Sequence, residues 1–153
     1  MTKRYRQAVA ALVLRKDPEG QQRFLLVHKP RIRDEWQLPQ GGIEEGETLT
    51  QAALRELQEE TSLVLPSIER ESDRTYTYDF PPEFIARHQP VNHGQQLSFV
   101  IARAPQDAQI IVDQHEIDGF AWVTIDELHH YIPRPEYLTC IQDLYRDAVG
   151  TAC

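Results

Sequence analysis

The chain has 153 residues, of which 41 % are apolar, and its formal net charge at pH 7 is −8. This length and composition predict one folded domain over residues 1–153 and exclude both wholesale disorder and two ordinary domains. The negative charge disfavours binding to long nucleic acids, and no apolar run reaches the roughly 20 residues of a membrane-spanning helix.

The N-terminal segment predicts a β-hairpin. Residues 6–14 are typical of a central strand, residues 17–20 of a turn and residues 24–27 of the returning strand. Basic residues before an apolar run also resemble a short signal sequence, but charges at 15–17 follow at once without a small-residue cleavage site. We therefore predict a buried strand here.

A glycine-rich acidic loop and a helix come next. Residues 31–35 are predicted to form a charged loop, with at most a short strand at 36–38. Residues 48–62 predict a helix, because Thr48 and Gln51 fit a capping box and good helix formers follow.

The rest of the chain alternates short strands with few helices. We predict, in order, a strand within 67–80, a polar loop at 83–94, a strand at 97–103, an extended segment at 110–112, a strand at 119–123, a short helix capped by Thr124, and a last helix from Pro135 to about residue 149. This order predicts an α/β fold in which helices cover a mixed sheet.

Glu56, Glu59 and Glu60 are spaced i, i+3 and i+4, so they share one face of the predicted helix. Clustered carboxylates repel one another, and proteins use such clusters to bind hard divalent cations. Gly41 in the preceding loop allows the backbone to approach the same ion closely. The alternative is a solvated acidic face, which is the usual meaning of charges on a helix.

Loop and helix together resemble the Nudix family. The stretch Gly41-x5-Glu47-x7-Arg55-Glu56-Leu57-x-Glu59-Glu60-x-Ser62-Leu63 matches eight of the nine specified positions of the Nudix box, and the departure is Ser62 in place of glycine. That glycine usually closes the helix. The resemblance implies an α/β/α sandwich around a central mixed sheet and a hydrolase that cleaves nucleoside diphosphates linked to another group.

The resemblance also implies roles for individual residues. Glu56, Glu59 and Glu60 would bind Mg²⁺ or Mn²⁺, and a backbone carbonyl near Gln40 or Gly41 would complete the shell. By the same resemblance, a salt bridge between Glu47 and Arg55 would join the loop to the helix.

A carboxylate must also accept the proton of the attacking water. Glu56 is one candidate for this general base, and Glu116, which precedes the strand at 119–123, is the other. An ordinary loop acid is an equally good interpretation of Glu116.

Further matches narrow the resemblance to dinucleoside polyphosphate hydrolases and RNA 5′-pyrophosphohydrolases, which share a W-x-x-P-Q-G-G segment. The substrate-binding residues implied in this way are Arg6, Lys29, Trp36, Tyr78 and Gln95. Each also has a simpler interpretation: the tryptophan as core, the cations as surface charges and the tyrosine as strand-end packing.

The net charge favours a small nucleotide as substrate, because no basic track suited to RNA is evident outside residues 29–33. We therefore expect a dinucleoside polyphosphate or a nucleoside triphosphate, with the RNA 5′ end and oxidised nucleoside triphosphates as alternatives. A nucleotide sensor without catalysis is a further alternative, which the intact glutamates oppose. Cys140 and Cys153 are expected to be free thiols in the cytoplasm, with no membrane partner.

Overall fold

The computed structural model describes residues 4–30 and 35–150, and its centre is a mixed β-sheet. The strands are β1 (Tyr5–Lys16), β2 (Gln22–Lys29), β3 (Glu35–Gln37), β4 (Gln40–Gly42), β5 (Arg70–Asp79), β6 (Gly94–Arg103) and β7 (Gly119–Val123). The helices are α1 (Leu49–Thr61), α2 (Pro82–His88), α3 (Leu128–Tyr131) and α4 (Pro135–Val149), with a 3₁₀ turn at Ile125–Glu127.

The strand order is β3-β2-β1-β6-β5, while β4 pairs with β1 and β7 pairs with β2. The long pairing of β1 with β6 is parallel, and the other pairings are antiparallel. The predicted mixed sheet is therefore confirmed.

The central strand β1 explains why the sheet is covered on both faces. Its residues 8–14 are all buried, and successive side chains of a strand point to opposite faces. The even-numbered residues pack in one core with α3 and α4, and the odd-numbered residues pack in a second core with α1. The result is the α/β/α arrangement that the resemblance implies, and it identifies the apolar run as a strand buried on both sides.

Helix α1 begins as predicted. The Thr48 hydroxyl accepts a hydrogen bond from the Gln51 backbone, and the Gln51 side chain accepts one from the Thr48 backbone. The helix ends at Thr61, because Ser62 adopts a left-handed conformation with φ 62° and ψ 12°. Serine thus takes the conformation that favours glycine at a helix end.

One predicted segment was wrong. The polar loop at 83–94 contains α2, which Pro82 opens at a position where a missing N–H is tolerated, and β6 already begins at Gly94. The extended segment expected at 110–112 belongs to no helix or strand, and the Ile111 backbone N–H donates to the carbonyl of Thr61 at 2.9 Å. Strand β4 was not predicted.

Some sequence expectations fall outside the described residues, namely Cys153 and most of the charged loop at 31–35. Cys140 is a free thiol, and burial raises its pKa to about 11. Within residues 4–30 and 35–150, no helix is long and apolar enough to cross a membrane.

We predict that Ser62→Gly changes the free energy of unfolding by less than about 1 kcal/mol and leaves catalysis unchanged, because two effects oppose each other. Glycine relieves the left-handed conformation, but the substitution removes the hydrogen bond from Ser62 Oγ to the carbonyl of Ile111, 3.1 Å long. Thermal unfolding and initial rates measure both properties.

Ser62→Ala is the matched control, because it loses the same hydrogen bond but keeps the unfavourable backbone. Its free energy of unfolding should be about 1 kcal/mol lower than that of Ser62→Gly. Equal stability of the two variants would show that the backbone conformation carries no cost here.

Candidate active site

Arg55 ties the glycine-rich loop to helix α1. Its Nε lies 2.7 Å from Glu47 Oε2, and its Nη2 lies 2.9 Å from Glu47 Oε1 and 2.9 Å from the carbonyl of Gly42. This two-pronged ion pair lowers the pKa of Glu47 to about 2 and raises the pKa of Arg55. The pair expected between Glu47 and Arg55 is thus formed, and it fixes the end of β4 against the helix.

Glu60 is the most deeply buried carboxylate of the site, with 2 % of its surface exposed. One oxygen, Oε1, accepts a hydrogen bond from the backbone N–H of Gln40 at 3.2 Å. The other, Oε2, is buried without a hydrogen-bond partner among the described residues. Burial raises the pKa of Glu60 to about 8, although the nearby charge of Lys29 acts in the opposite direction.

Glu56 lies directly over Gly41. A Cβ atom at Gly41 would overlap the Glu56 carboxylate, so any larger residue there would displace this carboxylate from its present position. Burial raises the pKa of Glu56, and the charges of Glu59 and Glu116 add to this shift. Arg55 Nη1 donates to Glu56 Oε1 at 2.8 Å, which partly offsets these effects.

Glu59 is the most accessible of the three helix carboxylates. Its side chain is 57 % exposed and lies 3.2 Å from Arg55 Nη1. Glu59 therefore remains open to a ligand from solvent, whereas Glu60 forms the buried end of the site.

These carboxylates line a cavity of about 190 Å³, which we call the acidic cavity. Its remaining lining consists of a second set of acids, two cations and β4 backbone: Asp113, Glu116, Arg6, Lys29, Gln40 and Gly41. Five acids against two bases leave a formal excess of three negative charges. A phosphate chain would be repelled here unless bound cations compensated.

Asp113 holds Glu116 at the acidic cavity. Its Oδ1 accepts hydrogen bonds from the backbone N–H groups of residues 115, 116 and 117, at 3.1, 3.1 and 2.9 Å. The sequence analysis missed Asp113, although an aspartate that caps the next few residues is a recognisable turn signal.

A divalent cation fits the chemistry of this lining. Glu60 presents a buried oxygen without a partner, and Glu56 and Glu59 supply further hard oxygen ligands. In residues 4–30 and 35–150, no three His, Cys, Asp or Glu side chains already converge in metal-binding geometry. Arg55 Nη1 donates hydrogen bonds to Glu56 and to Glu59.

A second, smaller cavity of about 60 Å³ adjoins the first, and we call it the amide pocket. It shares Lys29 and Gln40 with the acidic cavity, and its other lining residues are Glu35, Gln37, Tyr78, Phe80, Pro81 and Gln95. All three glutamines in this lining, at positions 37, 40 and 95, are buried.

The structure brings together four of the five residues expected to bind substrate. Arg6 and Lys29 lie at the acidic cavity, and Tyr78 and Gln95 line the amide pocket. Arg6 Nη1 donates to Gln95 Oε1 at 3.2 Å, and Gln95 Nε2 donates to the Tyr78 hydroxyl, so the two cavities are linked by side chains.

Trp36 lines neither cavity. Its ring packs 5.1 Å from that of His28 and 5.2 Å edge-on to Tyr131, against the core under α3 and α4. The observed contacts correspond to its simpler interpretation as a packing residue. Glu35, Gln37 and Phe80 also line the amide pocket but were not predicted, although each lies within two positions of a residue that was.

The chain matches the model of the NUDIX domain over residues 4–143. An RNA pyrophosphohydrolase of Nitratiruptor is 34 % identical over 140 residues, with 88 % of this chain and 90 % of the relative covered. An RNA pyrophosphohydrolase of Sulfurovum is 35 % identical over 153 residues, with 96 % and 97 % covered.

Solved structures show the same fold at lower identity. A C. elegans Ap4A hydrolase in a binary complex superposes with a TM-score of 0.77 at 19 % identity, covering 95 % of this chain and 98 % of that one. The E. coli dihydroneopterin triphosphate pyrophosphohydrolase gives 0.74 at 22 % identity, covering 95 % and 100 %. The domain match and the near-full-length relatives show that the chain belongs to the Nudix family, as a hydrolase of phosphoanhydride bonds.

Proposed function

We propose that this protein is an RNA pyrophosphohydrolase that removes pyrophosphate from triphosphorylated RNA 5′ ends in the cytoplasm. The observation that carries the proposal is the near-full-length similarity, at 34 % and 35 % identity, to two proteins named RNA pyrophosphohydrolase. The sequence analysis favoured a small nucleotide because of the net charge of −8. That preference weakens because a 5′ end meets only the local field of the site, where Arg6 and Lys29 lie.

The bound cation of this proposal is Mg²⁺ or Mn²⁺, held by Glu56, Glu59 and Glu60 with a backbone carbonyl of Gln40 or Gly41. Such an ion neutralises phosphate oxygens and lowers the pKa of a bound water. Two contacts within the chain position these ligands: Arg55 holds loop and helix together, and the Gln40 N–H orients Glu60 Oε1.

The general base is a carboxylate facing the same cavity. Glu116 lines the acidic cavity from a turn in which its backbone N–H donates to Asp113. Its place in this lining would let it accept the proton of an attacking water. Glu56 is the second candidate, but its Oε1 is engaged by Arg55.

Arg6 and Lys29 would orient the phosphate chain. Both line the acidic cavity, and Lys29 extends the lining into the amide pocket. In this proposal, water attacks phosphorus and gives a proton to the general base, the phosphoanhydride bond breaks, and Arg6 and Lys29 would compensate part of the negative charge of the leaving pyrophosphate.

A dinucleoside polyphosphate is the second candidate substrate. The aromatic side chains of Tyr78 and Phe80 beside the acidic cavity would suit a nucleoside at one end of such a compound. The overall negative charge also disfavours long RNA more than a small nucleotide.

The experiment that separates them compares a 5′-triphosphorylated oligoribonucleotide, diadenosine tetraphosphate and GTP at equal concentration with Mg²⁺ and with Mn²⁺. We expect the highest kcat/KM with the RNA and release of pyrophosphate, resolved by chromatography. A higher kcat/KM with the dinucleotide would overturn the RNA assignment and favour the second candidate.

We predict that Glu59→Gln and Glu60→Gln each lower kcat by orders of magnitude, because each removes a negative oxygen ligand while preserving shape. Glu45→Gln is the matched control, since Glu45 is an exposed acid in the loop before helix α1 and does not line the acidic cavity. Circular dichroism checks that the fold is kept. Near-normal rates in both helix variants would remove these residues as ligands.

We predict that metal-free Glu60→Gln unfolds several degrees above the wild type at pH 8, because the neutral amide avoids the larger cost of burying a negative charge without a partner. Adding Mg²⁺ or Mn²⁺ should raise the Tm of the wild type and leave that of the variant nearly unchanged. Equal metal-induced increases in the Tm of the wild type and of the variant would argue against a cation at Glu60.

A further inference from the structure

Gln37 in strand β3 is a buried side chain with an unused donor. Only 5 % of its surface is exposed, and it lines the amide pocket. Its Nε2 is buried and has no hydrogen-bond partner among the described residues. A buried donor of this kind is unfavourable unless something else supplies an acceptor.

Neighbouring polar groups of the amide pocket are already engaged. Gln95 is bonded to Arg6 through its oxygen and to Tyr78 through its nitrogen. Glu35 Oε1 lies 3.5 Å from Nη2 of Arg134. The Gln37 Nε2 therefore has no hydrogen-bond partner among the described residues of this pocket, whereas Gln95 and Glu35 already have partners.

The shape of the amide pocket suits the edge of a flat ring. Its volume of about 60 Å³ is about that of two water molecules in the liquid, too small for a whole nucleoside. The rings of Tyr78 and Phe80 are 6.3 Å apart and inclined at 79°, so they form an aromatic wall. Nucleobases stack on aromatic side chains of this kind and expose polar edges.

The amide pocket also lies where a nucleotide would place its base. Lys29 and Gln40 line both this pocket and the acidic cavity, so a ligand can extend from one to the other. When phosphates occupy the acidic cavity, the group next to them along a nucleotide is the nucleoside.

We propose that the amide pocket binds the nucleobase of the nucleotide whose phosphates enter the acidic cavity, and that Gln37 Nε2 donates a hydrogen bond to an acceptor on the edge of that base. Gln37 is thereby a substrate-binding residue outside the Nudix box. The proposal deepens the proposed function and rests on it for the position of the phosphates. Every common base carries such an acceptor, so the contact adds affinity for a base as such.

The test compares two 5′-triphosphorylated oligoribonucleotides, one with guanine on its first nucleotide and one abasic at that position. Gln37→Met keeps the side-chain length and removes the amide. We expect kcat/KM to fall about tenfold for the base-bearing RNA and to stay unchanged for the abasic RNA. Gln109→Met, at an exposed position that lines neither cavity, is the matched control and should match the wild type on both substrates.

Three outcomes would overturn the proposal: an equal fall with both RNAs, no fall with either, or a fall that disappears when the first nucleotide is 2′-deoxy. The first would mean that Gln37 acts through the phosphates or the fold, and the last that it contacts the ribose.

If the wild type does not cleave triphosphorylated RNA, the proposed function fails while the base site is still testable. Calorimetry with guanosine 5′-monophosphate and ribose 5-phosphate then replaces turnover. Gln37→Met should weaken binding of the first about tenfold and leave the second unchanged. Equal affinities of wild type and variant for guanosine 5′-monophosphate would overturn the base site as well.

Discussion

The ion pair of Arg55 with Glu47 is the contact on which the site depends. Because Arg55 also holds the carbonyl of Gly42, it fixes the strand β4 against helix α1. That placement seats Glu56 over Gly41 and brings the Gln40 N–H to Glu60. A lysine could not replace it, since one ammonium cannot span two carboxylate oxygens and a carbonyl with the same planar fork.

Arg55 nevertheless leaves the most buried charge uncompensated. Its guanidinium is shared among acids near the mouth of the acidic cavity, whereas Glu60 receives one backbone hydrogen bond and the more distant charge of Lys29. The raised pKa of Glu60 expresses this deficit. The protein thus maintains an unfavourable arrangement that a divalent cation would relieve, a common relation between a functional site and stability.

The sequence predicted those parts of the fold and site that depend on local spacing. The face shared by Glu56, Glu59 and Glu60 follows from helical periodicity, and the cap at Thr48 follows from two residues. The amide pocket could not be predicted as a unit, because it depends on strand register that brings Tyr78 opposite Gln95 and Arg6 opposite Gln95. Helix α2 was missed because its support is the contact of Phe84 with Phe80, within a stretch whose composition is polar.

The net charge of the whole chain is likewise a poor guide to which substrate enters the site. Of its 24 acidic residues, five line the acidic cavity, where burial raises the pKa values of Glu56 and Glu60 and the charges of neighbouring acids add to the shift. A net charge weights these five like any others, although they are the acids that a bound cation would neutralise. A substrate that enters by one end meets this local balance of acids, Arg6 and Lys29 before it meets the rest of the surface. The net charge of the chain is therefore informative about whether a long polyanion binds along the surface. It is less informative about whether the triphosphate terminus of that polyanion enters the site.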